Sequence, residues 1–219
     1  MRLRRIPEAK AAVTASDLCL KEPLEMKGRW REAAQGKPVY LEVGMGRGAF
    51  IIGNALAEPD KLFLGLEIRE EMLYLAERKL QREMAVRGLF EYPDNVRFLW
   101  SNAKLLPELF EAGEIDRIYL NFSDPWPKAK HDKRRLTFRT FLEQYLVLLR
   151  DGGELFFRTD NEKFFDWSLE SFAESPFINL SVDRDAPVPE NGVISEYEAR
   201  YRGMGNPIFT AVYKKGEAK

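Results

Sequence analysis

Short apolar runs alternate with amphipathic segments along most of this chain, and this alternation constrains the fold more than any other feature. The apolar runs predict strands over Val39–Val43, Leu62–Ile68, Val96–Trp100, Ile115–Phe122 and Glu154–Arg158. The clearest helix is predicted over Glu70–Arg87, where apolar residues recur about every 3.6 positions. Strands that alternate with helices are typical of an α/β fold with a doubly wound, mostly parallel sheet.

Further helices are expected between these strands. One follows the first strand and ends at Ala57, and the others cover Ala103–Ala112, Phe138–Leu149 and Asn161–Ala173. The run Asp151-Gly-Gly153 is expected to stop the Phe138–Leu149 helix, as glycines commonly do at a helix C-terminus.

The two ends of the chain depart from the alternation. Ile178–Val182 and Ile208–Lys214 predict a hairpin-like pair of strands across a long loop without a helix, which brings the sheet to about seven strands. Residues 1–20 lack strong periodicity and are expected to be mobile, and residues 22–35 predict a short helix that ends at Gly36. The chain is therefore divided into a basic arm with a short helix, residues 1–38, and a main domain, residues 39–219. The basic residues of the arm are Arg2, Arg4, Arg5 and Lys10.

Composition excludes several classes of protein. The single cysteine, Cys19, cannot form a disulfide within the chain, and this predicts a reduced, cytoplasmic compartment. No Cys/His spacing is typical of a metal site, so no metal is expected. No apolar run approaches the roughly 18 residues that a membrane span needs, so no membrane partner is expected. The net charge of −1 conceals local basic patches, which are the electrostatic footprint of a nucleic-acid binder.

A glycine-rich turn follows the first predicted strand. Gly44 and Gly46 permit a tight turn and a close approach of a ligand to the backbone, but with Ala49 they also satisfy the dinucleotide fingerprint. Glu42 disfavours a dinucleotide cofactor such as NAD, since a carboxylate at this position repels a pyrophosphate. It attracts the ammonium and sulfonium groups of S-adenosylmethionine, so this cofactor is preferred to NAD.

Two more polar residues follow the next strands. Glu67 ends the second strand, where a carboxylate can accept both ribose hydroxyls of an adenosine, and this suits either cofactor. Asn102 follows the third strand. It can hydrogen-bond an adenine edge or simply cap the next helix, and the residues alone leave both roles open.

The segment Asn121–Arg135 places a rigid acidic turn beside a basic cluster. Pro125 and Pro127 flank Trp126 and are expected to hold Asp124 in place at the end of the fourth strand. Residues 128–135 carry five Lys or Arg and one His against one Asp. A carboxylate among cations predicts a site that handles a base while it holds a phosphate backbone. The alternative is a stiff loop with a solvated basic face.

With these residues the chain resembles the bacterial tRNA (guanine-N7-)-methyltransferases. The resemblance covers about residues 40–215, and Asn121–Arg135 is its most specific part. Its other motifs are Glu42-Val-Gly-Met-Gly-Arg-Gly48, Gly65-Leu-Glu-Ile68, Arg158-Thr-Asp-Asn161 and Ser195-Glu-Tyr-Glu198. The resemblance implies a Rossmann-like methyltransferase domain over residues 39–219, with a reversed last strand. It also implies methyl transfer from S-adenosylmethionine, which becomes S-adenosylhomocysteine, to N7 of guanine 46 in the tRNA variable loop.

The resemblance also assigns roles to individual residues. Asp124 matches the catalytic position, and the cofactor-binding positions are Glu42, Gly44, Gly46, Glu67, Asn102 and Asp124. The substrate-contacting positions are Lys128, Asp160, Ser195, Glu196, Tyr197 and Glu198. The RNA-contacting loop is Lys130, His131, Asp132, Lys133, Arg134 and Arg135. This chain has Ser195 where the family commonly has Thr, which keeps the hydroxyl and loses a methyl group.

The chemistry of guanine N7 shapes what these acids are expected to do. N7 carries a free lone pair and no proton, so methylation needs alignment and no general base. A nearby carboxylate stabilises the positive charge that the purine gains, which fits Asp124. Asp160 and Glu198 are candidates, with Asp124, for reading N1–H and the exocyclic amine, and which acid takes which role stays open. The base is expected to leave its stack, and Trp126 is either its stacking partner or a structural residue.

Two other functions compete with the methyltransferase hypothesis. An NAD-dependent oxidoreductase would have to tolerate a pyrophosphate near Glu42, and no proton-relay residue for hydride transfer is evident. An RNA-binding module with a vestigial cofactor site explains the basic loop but leaves Glu42, the glycines and Glu67 without a role. The leading hypothesis predicts tRNA as the partner, and the sequence does not distinguish a monomer from a homodimer.

Overall fold

The computed structural model describes residues 5–20 and 22–216, and these form one eight-stranded sheet. The strands are β1 Cys19–Leu20, β2 Val39–Val43, β3 Leu62–Glu67, β4 Val96–Trp100, β5 Ile115–Asn121, β6 Leu149–Thr159, β7 Ile178–Asp183 and β8 Phe209–Lys214. Their spatial order is β1-β4-β3-β2-β5-β6-β8-β7. The last strand, β8, runs antiparallel to β6 and β7, and the other neighbouring strands pair in parallel. The Rossmann-like fold with a reversed last strand is therefore confirmed.

Helices cover both faces of this sheet. They are α1 Ala9–Ala15, α2 Trp30–Ala33, α3 Ala49–Ala57, α4 Glu70–Arg87, α5 Leu106–Leu109, α6 Arg139–Leu148, α7 Glu162–Ala173 and α8 Glu196–Gly203. Short 3-10 helices cover Pro23–Met26, Ala103–Leu105 and Ala129–Arg134. None of the helices in the described part of the chain has the length and apolarity needed to cross a membrane.

The central strand β2 is buried on both faces, as its sequence requires. Val39 and Leu41 belong to one hydrophobic cluster, which also holds Phe141 of α6. Tyr40 belongs to a second cluster on the other face, which also holds Leu73 of α4. Because successive side chains of a strand point to opposite faces, this one strand supplies residues to two cores.

The described part of the N-terminal region is ordered, so the expectation of mobility over residues 1–20 is wrong for residues 5–20. The strand β1 pairs with β4, and Val13 of α1 and Leu18 are buried in the cluster that also holds α4. These elements are too short to show a period in the sequence, so tertiary packing orders them. Arg2 and Arg4 lie outside the described residues, and the division of the chain at residue 38 stays a prediction.

Other expectations about local structure are also wrong. The helices expected over residues 22–35 and 103–112 are each divided into a 3-10 helix and a four-residue α-helix. The segment between β7 and β8 contains the helix α8, whose highly charged sequence shows no apolar stripe. The run Asp151-Gly-Gly153 lies inside β6, which begins at Leu149 directly after α6 ends. Gly152 has φ 75°, and the register of β6 against β5 shifts nearby, so these glycines make an irregular strand rather than a helix stop.

The order of the strands fixes where a ligand can bind. The chain winds outward from β2 to β3 and β4 on one side and then returns to β5 on the other side. Open α/β sheets bind ligands at the carboxyl ends of the strands where the winding direction reverses. In this sheet that place lies between the ends of β2 and β5.

Candidate active site

The glycine turn between β2 and α3 takes a backbone shape that few residues other than glycine adopt. Gly44, Gly46 and Gly48 have φ of 81°, 54° and 72°. A Cβ at Gly44 or Gly46 would meet no atom within 4 Å, whereas one at Gly48 would lie 2.9 Å from Cβ of Ala76. Gly48 is therefore needed for packing against α4, and the other two glycines border open space where a ligand can approach the backbone.

Glu42 is a buried carboxyl group at the end of β2, with only 2% of its surface exposed. Its Oε1 accepts a hydrogen bond from Asn121 Nδ2 at 2.9 Å, and its Oε2 has no hydrogen-bond partner among the described residues. Burial raises the pKa of Glu42 to about 8, and the nearby Glu67 carboxylate adds to the rise. An unpaired buried oxygen is costly, so this site suits a ligand that brings a cation or a donor.

Glu67 closes the glycine turn from the end of β3. Its Oε2 accepts from the Gly46 amide at 3.0 Å, and its Oε1 accepts from the amides of Ile68 and Arg69 at 2.9 and 3.1 Å. Burial raises the pKa of Glu67, and these amide donors act in the opposite direction. The carboxylate is thus fixed in orientation beside the turn.

Asn102 takes one of the two roles that its sequence position allows and leaves the other open. Its side-chain oxygen accepts from the Lys104 amide at 2.9 Å and so caps the 3-10 helix Ala103–Leu105. The cap uses only the oxygen. The side-chain NH₂ group therefore remains as a donor at the end of β4.

Gly44, Gly46, Glu67 and Asn102 line one cleft of about 700 Å³ at the carboxyl edge of the sheet, and Glu42 lies buried one residue before Val43, which borders the same cleft. The cleft is bordered by Gly44, Gly46, Glu67, Ile68, Ser101, Asn102, Phe122, Asp124, Trp126 and Arg134. A larger cleft of about 940 Å³ lies between α3, residues 186–193 and the face of β5, β6 and β8. There, Arg117 is already paired with Glu154, and Arg158 with Glu198. We therefore place the site in the first cleft.

The turn that carries Asp124 is held in an unusual backbone conformation. Phe122 and Trp126 have φ of 50° and 42°, values that cost energy for residues with side chains. Asp124 lies between them and its side chain is exposed. Strained residues on both sides of an exposed carboxylate are typical of a functional turn whose surroundings determine its shape.

The basic loop has its own regular structure. Its core is the 3-10 helix Ala129–Arg134, and the exposed cations are Lys128, Lys130, Lys133 and Arg134. The Arg134 guanidinium lies 4.8 Å from the Trp126 ring centroid, and the His131 ring packs edge-on against the same indole at 5.8 Å. Trp126 is therefore half-buried between two residues of the loop.

Arg135 differs from its neighbours in this loop because it is buried, at 8% exposure. Its Nε donates to the Pro125 carbonyl at 2.9 Å, and its Nη2 donates to the Trp126 carbonyl at 3.1 Å. Nη2 also lies 3.0 Å from Oδ1 of Asp132. The guanidinium thus faces the protein, and the RNA-contacting role that the resemblance implies for Arg135 stays a prediction.

The segment Ser195–Glu198 forms the first turn of α8, and most of its side chains are engaged within the protein. Ser195 Oγ accepts from the Glu198 amide at 3.1 Å and caps the helix. Glu196 forms ion pairs with Lys79 of α4 and with Arg47 of the glycine turn. Glu198 is 1% exposed and pairs with Arg158 and Arg202. The Tyr197 side chain is the most available of the four for a substrate.

Tyr197 packs against Phe122, which lines the cleft, and Asp160 directly follows β6. The Tyr197 ring lies 5.2 Å from that of Phe122 and stacks on Tyr201 at 4.4 Å. Burial raises the pKa of Tyr197, and the Asp160 charge raises it further. Burial also raises the pKa of Asp160. An aromatic wall and a carboxyl group thus lie near each other.

Two residues important to the site were not among the predicted site residues. Asn121 orients Glu42, and Arg158 neutralises Glu198. Both lie on the same face of neighbouring strands, paired in register. The sequence motifs contain both residues, but only the pairing of β5 with β6 shows that their side chains lie on the same face of the sheet.

The sequence comparisons decide the family. A family model described as "Putative methyltransferase" matches residues 36–211. A tRNA (guanine-N(7)-)-methyltransferase of Exiguobacterium sp. is 42% identical over 214 residues, which are 95% of each chain. The protein of the same name from Bacillus subtilis is 36% identical over 215 residues, or 96% of this chain and 97% of the relative. The chain belongs to the tRNA (guanine-N(7)-)-methyltransferase family.

Solved structures confirm the fold of this family member. The 16S rRNA methyltransferase KamB has a TM-score of 0.65 at 13% identity and covers 87% of this chain and 94% of its own. The 16S rRNA (adenine(1408)-N(1))-methyltransferase of Catenulisporales acidiphilia, solved as a mutant with cosubstrate SAM, has a TM-score of 0.62 at 14% identity. It covers 88% of this chain and 92% of its own. At such low identity the likeness concerns the fold alone.

Proposed function

We propose that this protein transfers a methyl group from S-adenosylmethionine to N7 of guanine 46 in the variable loop of tRNA. The observation that carries the proposal is the buried carboxyl of Glu42, with one oxygen unpaired, beside a glycine turn open to a ligand. Family membership supports the general reaction, since the relatives are named for guanine-N7 methylation of tRNA. The position 46 rests on the resemblance described above.

The residues present fit the methyl donor. Glu42 and Asp124 would face its cationic part, and Glu67 would accept from its ribose hydroxyls. Gly44 and Gly46 leave room for close approach, and the NH₂ of Asn102 is free to meet the adenine. When bound, S-adenosylmethionine would supply a methyl group on a cationic sulfur, and it would bring no phosphate toward the Glu42 and Glu67 carboxyl groups beside the glycine turn.

The protein's part in the reaction is positioning and charge stabilisation. Guanine N7 has a lone pair and no proton, so no side chain has to act as a base at N7. Asp124, exposed at the cleft and held by a strained turn, would stabilise the positive charge on the purine. Tyr197 and Phe122 offer an aromatic surface for the base, and Asp160 offers an acceptor beside it.

The exposed cations of the basic loop would hold the tRNA backbone. These cations are Lys128, Lys130, Lys133 and Arg134, which directly follow the turn that carries Asp124. Phosphate contacts fix the register of an RNA without reading its sequence. The guanine would then be chosen by the shape of the tRNA and by acceptors within the cleft.

The same geometry disfavours a nicotinamide cofactor. A pyrophosphate at the glycine turn would approach both Glu42 and Glu67, and the Glu67 charge already helps to raise the pKa of the buried Glu42 carboxyl. Among the described residues no group of three or more His, Cys, Asp or Glu is arranged to hold a metal ion.

A position-resolved assay tests the proposal. An unmodified tRNA transcript is incubated with labelled S-adenosylmethionine, and a second transcript carries adenine in place of guanine 46. Transfer is expected to the first transcript and not to the second, and a replaced guanine elsewhere in the variable loop serves as the control. Equal labelling of the first two transcripts would remove position 46 from the proposal. In calorimetry without tRNA, binding of NAD in preference to S-adenosylmethionine would refute the cofactor assignment.

A further inference from the structure

Arg135 is the one cation of the basic loop that points into the protein. Its guanidinium is buried, whereas Lys133 and Arg134 beside it are exposed. A buried charge is tolerated only where partners satisfy it, and Arg135 has two backbone carbonyls and the Asp132 carboxylate as partners. Its Nη1 has no hydrogen-bond partner among the described residues, but this nitrogen is itself buried, so the guanidinium is not displayed to a phosphate.

The two carbonyls that Arg135 holds belong to the turn of Asp124. They are those of Pro125 and Trp126, the two residues that follow Asp124. The turn cannot hold itself by ladder bonds, because Pro125 and Pro127 have no amide N–H and Trp126 has φ 42°. A backbone in such a conformation persists only where its surroundings impose it, and Arg135 supplies part of that constraint.

The same guanidinium joins this turn to α7. It lies 4.1 Å from the Trp167 ring centroid and 5.8 Å from that of Phe164. Trp167 in turn stacks on Phe138 at 6.4 Å with an interplanar angle of 11°. Helix α7 begins two residues after Asp160, with Asn161 as its cap. Arg135 thus connects the turn of Asp124 to the helix that follows Asp160.

Lysine cannot replace arginine in this arrangement. The planar guanidinium donates in its plane to two carbonyls while its face lies over an indole. An ammonium group carries the same charge but does not combine these contacts. Charge and geometry can therefore be separated by substitution at this position.

We propose that Arg135 is a positioning residue, which sets the place of the Asp124 carboxylate relative to the target guanine and does not bind RNA. This inference rests on the proposed function. A displacement of about 1 Å at a reacting centre can cost on the order of a hundredfold in rate. Arg135→Lys is therefore expected to lower kcat by about ten- to a hundredfold. The KM for tRNA and the salt dependence of tRNA binding keep their wild-type values.

The matched comparison is Arg134, the exposed neighbour of the same type. Arg135→Gln is expected to leave the slope of log K against log salt as in the wild type, and Arg134→Gln is expected to lower it by about 0.7 to 0.9. The effect of Arg134→Gln therefore falls on the KM for tRNA. If Arg135→Gln does not fold, Arg135→Lys answers the question alone.

Loss of stability is controlled by a variant that weakens the same region without touching the turn. The hydroxyls of Thr137 and Ser168 form a buried hydrogen bond at 2.8 Å between the segment after the loop and α7. Thr137→Val removes this bond and leaves the carbonyls of Pro125 and Trp126 paired. We expect this variant to lose stability with a kcat near that of the wild type, and urea unfolding measures the folded fraction of each protein.

The outcomes separate the inference from the proposed function. A wild-type protein that methylates no tRNA would refute the function itself. An active wild type with a wild-type kcat in Arg135→Lys would overturn the inference alone. A kcat that falls as far in Thr137→Val as in Arg135→Lys, or a salt slope that drops in Arg135→Gln as in Arg134→Gln, would also overturn it.

Discussion

At the scale of single residues, the protonation of Glu42 controls much of the site. In the free protein burial raises the pKa of this carboxyl from its ordinary value of 4.5 to about 8. At neutral pH it is therefore mostly protonated, although a cationic ligand requires the carboxylate. Ligand binding and proton release should be coupled at this residue.

This coupling gives a calorimetric prediction. At pH 7, binding of S-adenosylmethionine is expected to release close to one proton, because Glu42 ionises when it meets the cation. The released protons are measured from binding enthalpies in buffers of different ionisation enthalpy. Glu42→Gln, which cannot ionise, should bind the donor weakly and release none. Proton-neutral binding by the wild type would show that Glu42 is not the group that receives the cation.

The raised pKa of Glu42 also predicts how the free energy of unfolding depends on pH. Since the folded pKa of Glu42 is raised, its contribution to stability is present below about pH 4.5 and lost as the pH rises through about 8. The free energy of unfolding should fall across this window by up to about 1.4 kcal/mol per pH unit from this group. Glu42→Gln is thus expected to raise the thermal midpoint more at pH 8.5 than at pH 5.5. Equal changes at both pH values would contradict the assignment.

Substitution of Asp124 is expected to lower activity and to leave stability unchanged. Asp124→Asn keeps the shape of an exposed side chain and removes its charge, so kcat should fall by about 10²- to 10³-fold. The free energy of unfolding should stay within about 0.5 kcal/mol of the wild type. Asp94→Asn is the control, since Asp94 is 80% exposed and lies just before β4 at the opposite edge of the sheet. Turnover in Asp124→Asn as high as in this control would exclude Asp124 from the mechanism.

At the scale of elements, helices and strands with a clear apolar pattern were predicted well. Elements held by ion pairs, or too short to show a pattern, were not. The bounds of α4, β2 and β4 were predicted to the residue, because each has a clear pattern of apolar residues. The helix α8 was missed because ion pairs hold it, and such pairs leave no apolar period in the sequence. Strand β1 is two residues long, too short for any pattern to predict.

Two alanine substitutions in the glycine turn are expected to have different effects on stability and on cofactor binding. Alanine at Gly46 or Gly48 carries the cost of a left-handed backbone, about 1–2 kcal/mol. Gly48→Ala adds an overlap with Ala76, so it should lose more stability in urea unfolding than Gly46→Ala. Gly46→Ala places its methyl group in the open cleft. It should therefore weaken S-adenosylmethionine binding more than Gly48→Ala does, when each loss of affinity is compared with the variant's loss of stability. Equal losses of stability in both variants would contradict the packing described for Gly48.

The basic loop gives a prediction about ionic strength. Lys133→Ala combined with Arg134→Ala should weaken tRNA binding and lower the salt slope by about one to two units, since each phosphate contact contributes about 0.7 to 0.9. Arg139→Ala is the control because Arg139 is 72% exposed and lies beyond the loop, where it pairs with Glu143. Titrations at several salt concentrations measure the slopes. A slope that is unchanged in the double variant, or lowered equally in the control, would refute phosphate binding by the loop.

At the scale of the whole molecule, the order of the strands gathers residues that are far apart in the sequence. Four residues, Glu42, Glu67, Asn102 and Asp124, lie at or just after the carboxyl ends of four different strands, and all border or lie beside the same end of the sheet. This much was predictable, since parallel strands place their carboxyl ends together. The pairing of Asn121 with Glu42 and the burial of Arg135 were not, because they depend on which side chains meet across the fold.

The most direct test of the central claim is the identity of the methylated nucleoside. Purified protein is incubated with an unmodified tRNA transcript and methyl-labelled S-adenosylmethionine, and the RNA is digested to nucleosides and separated. The account predicts that the label appears as 7-methylguanosine and that Asp124→Asn reduces it by about 10²-fold or more. Label in any other nucleoside, or none from a folded protein that binds the donor, would contradict it.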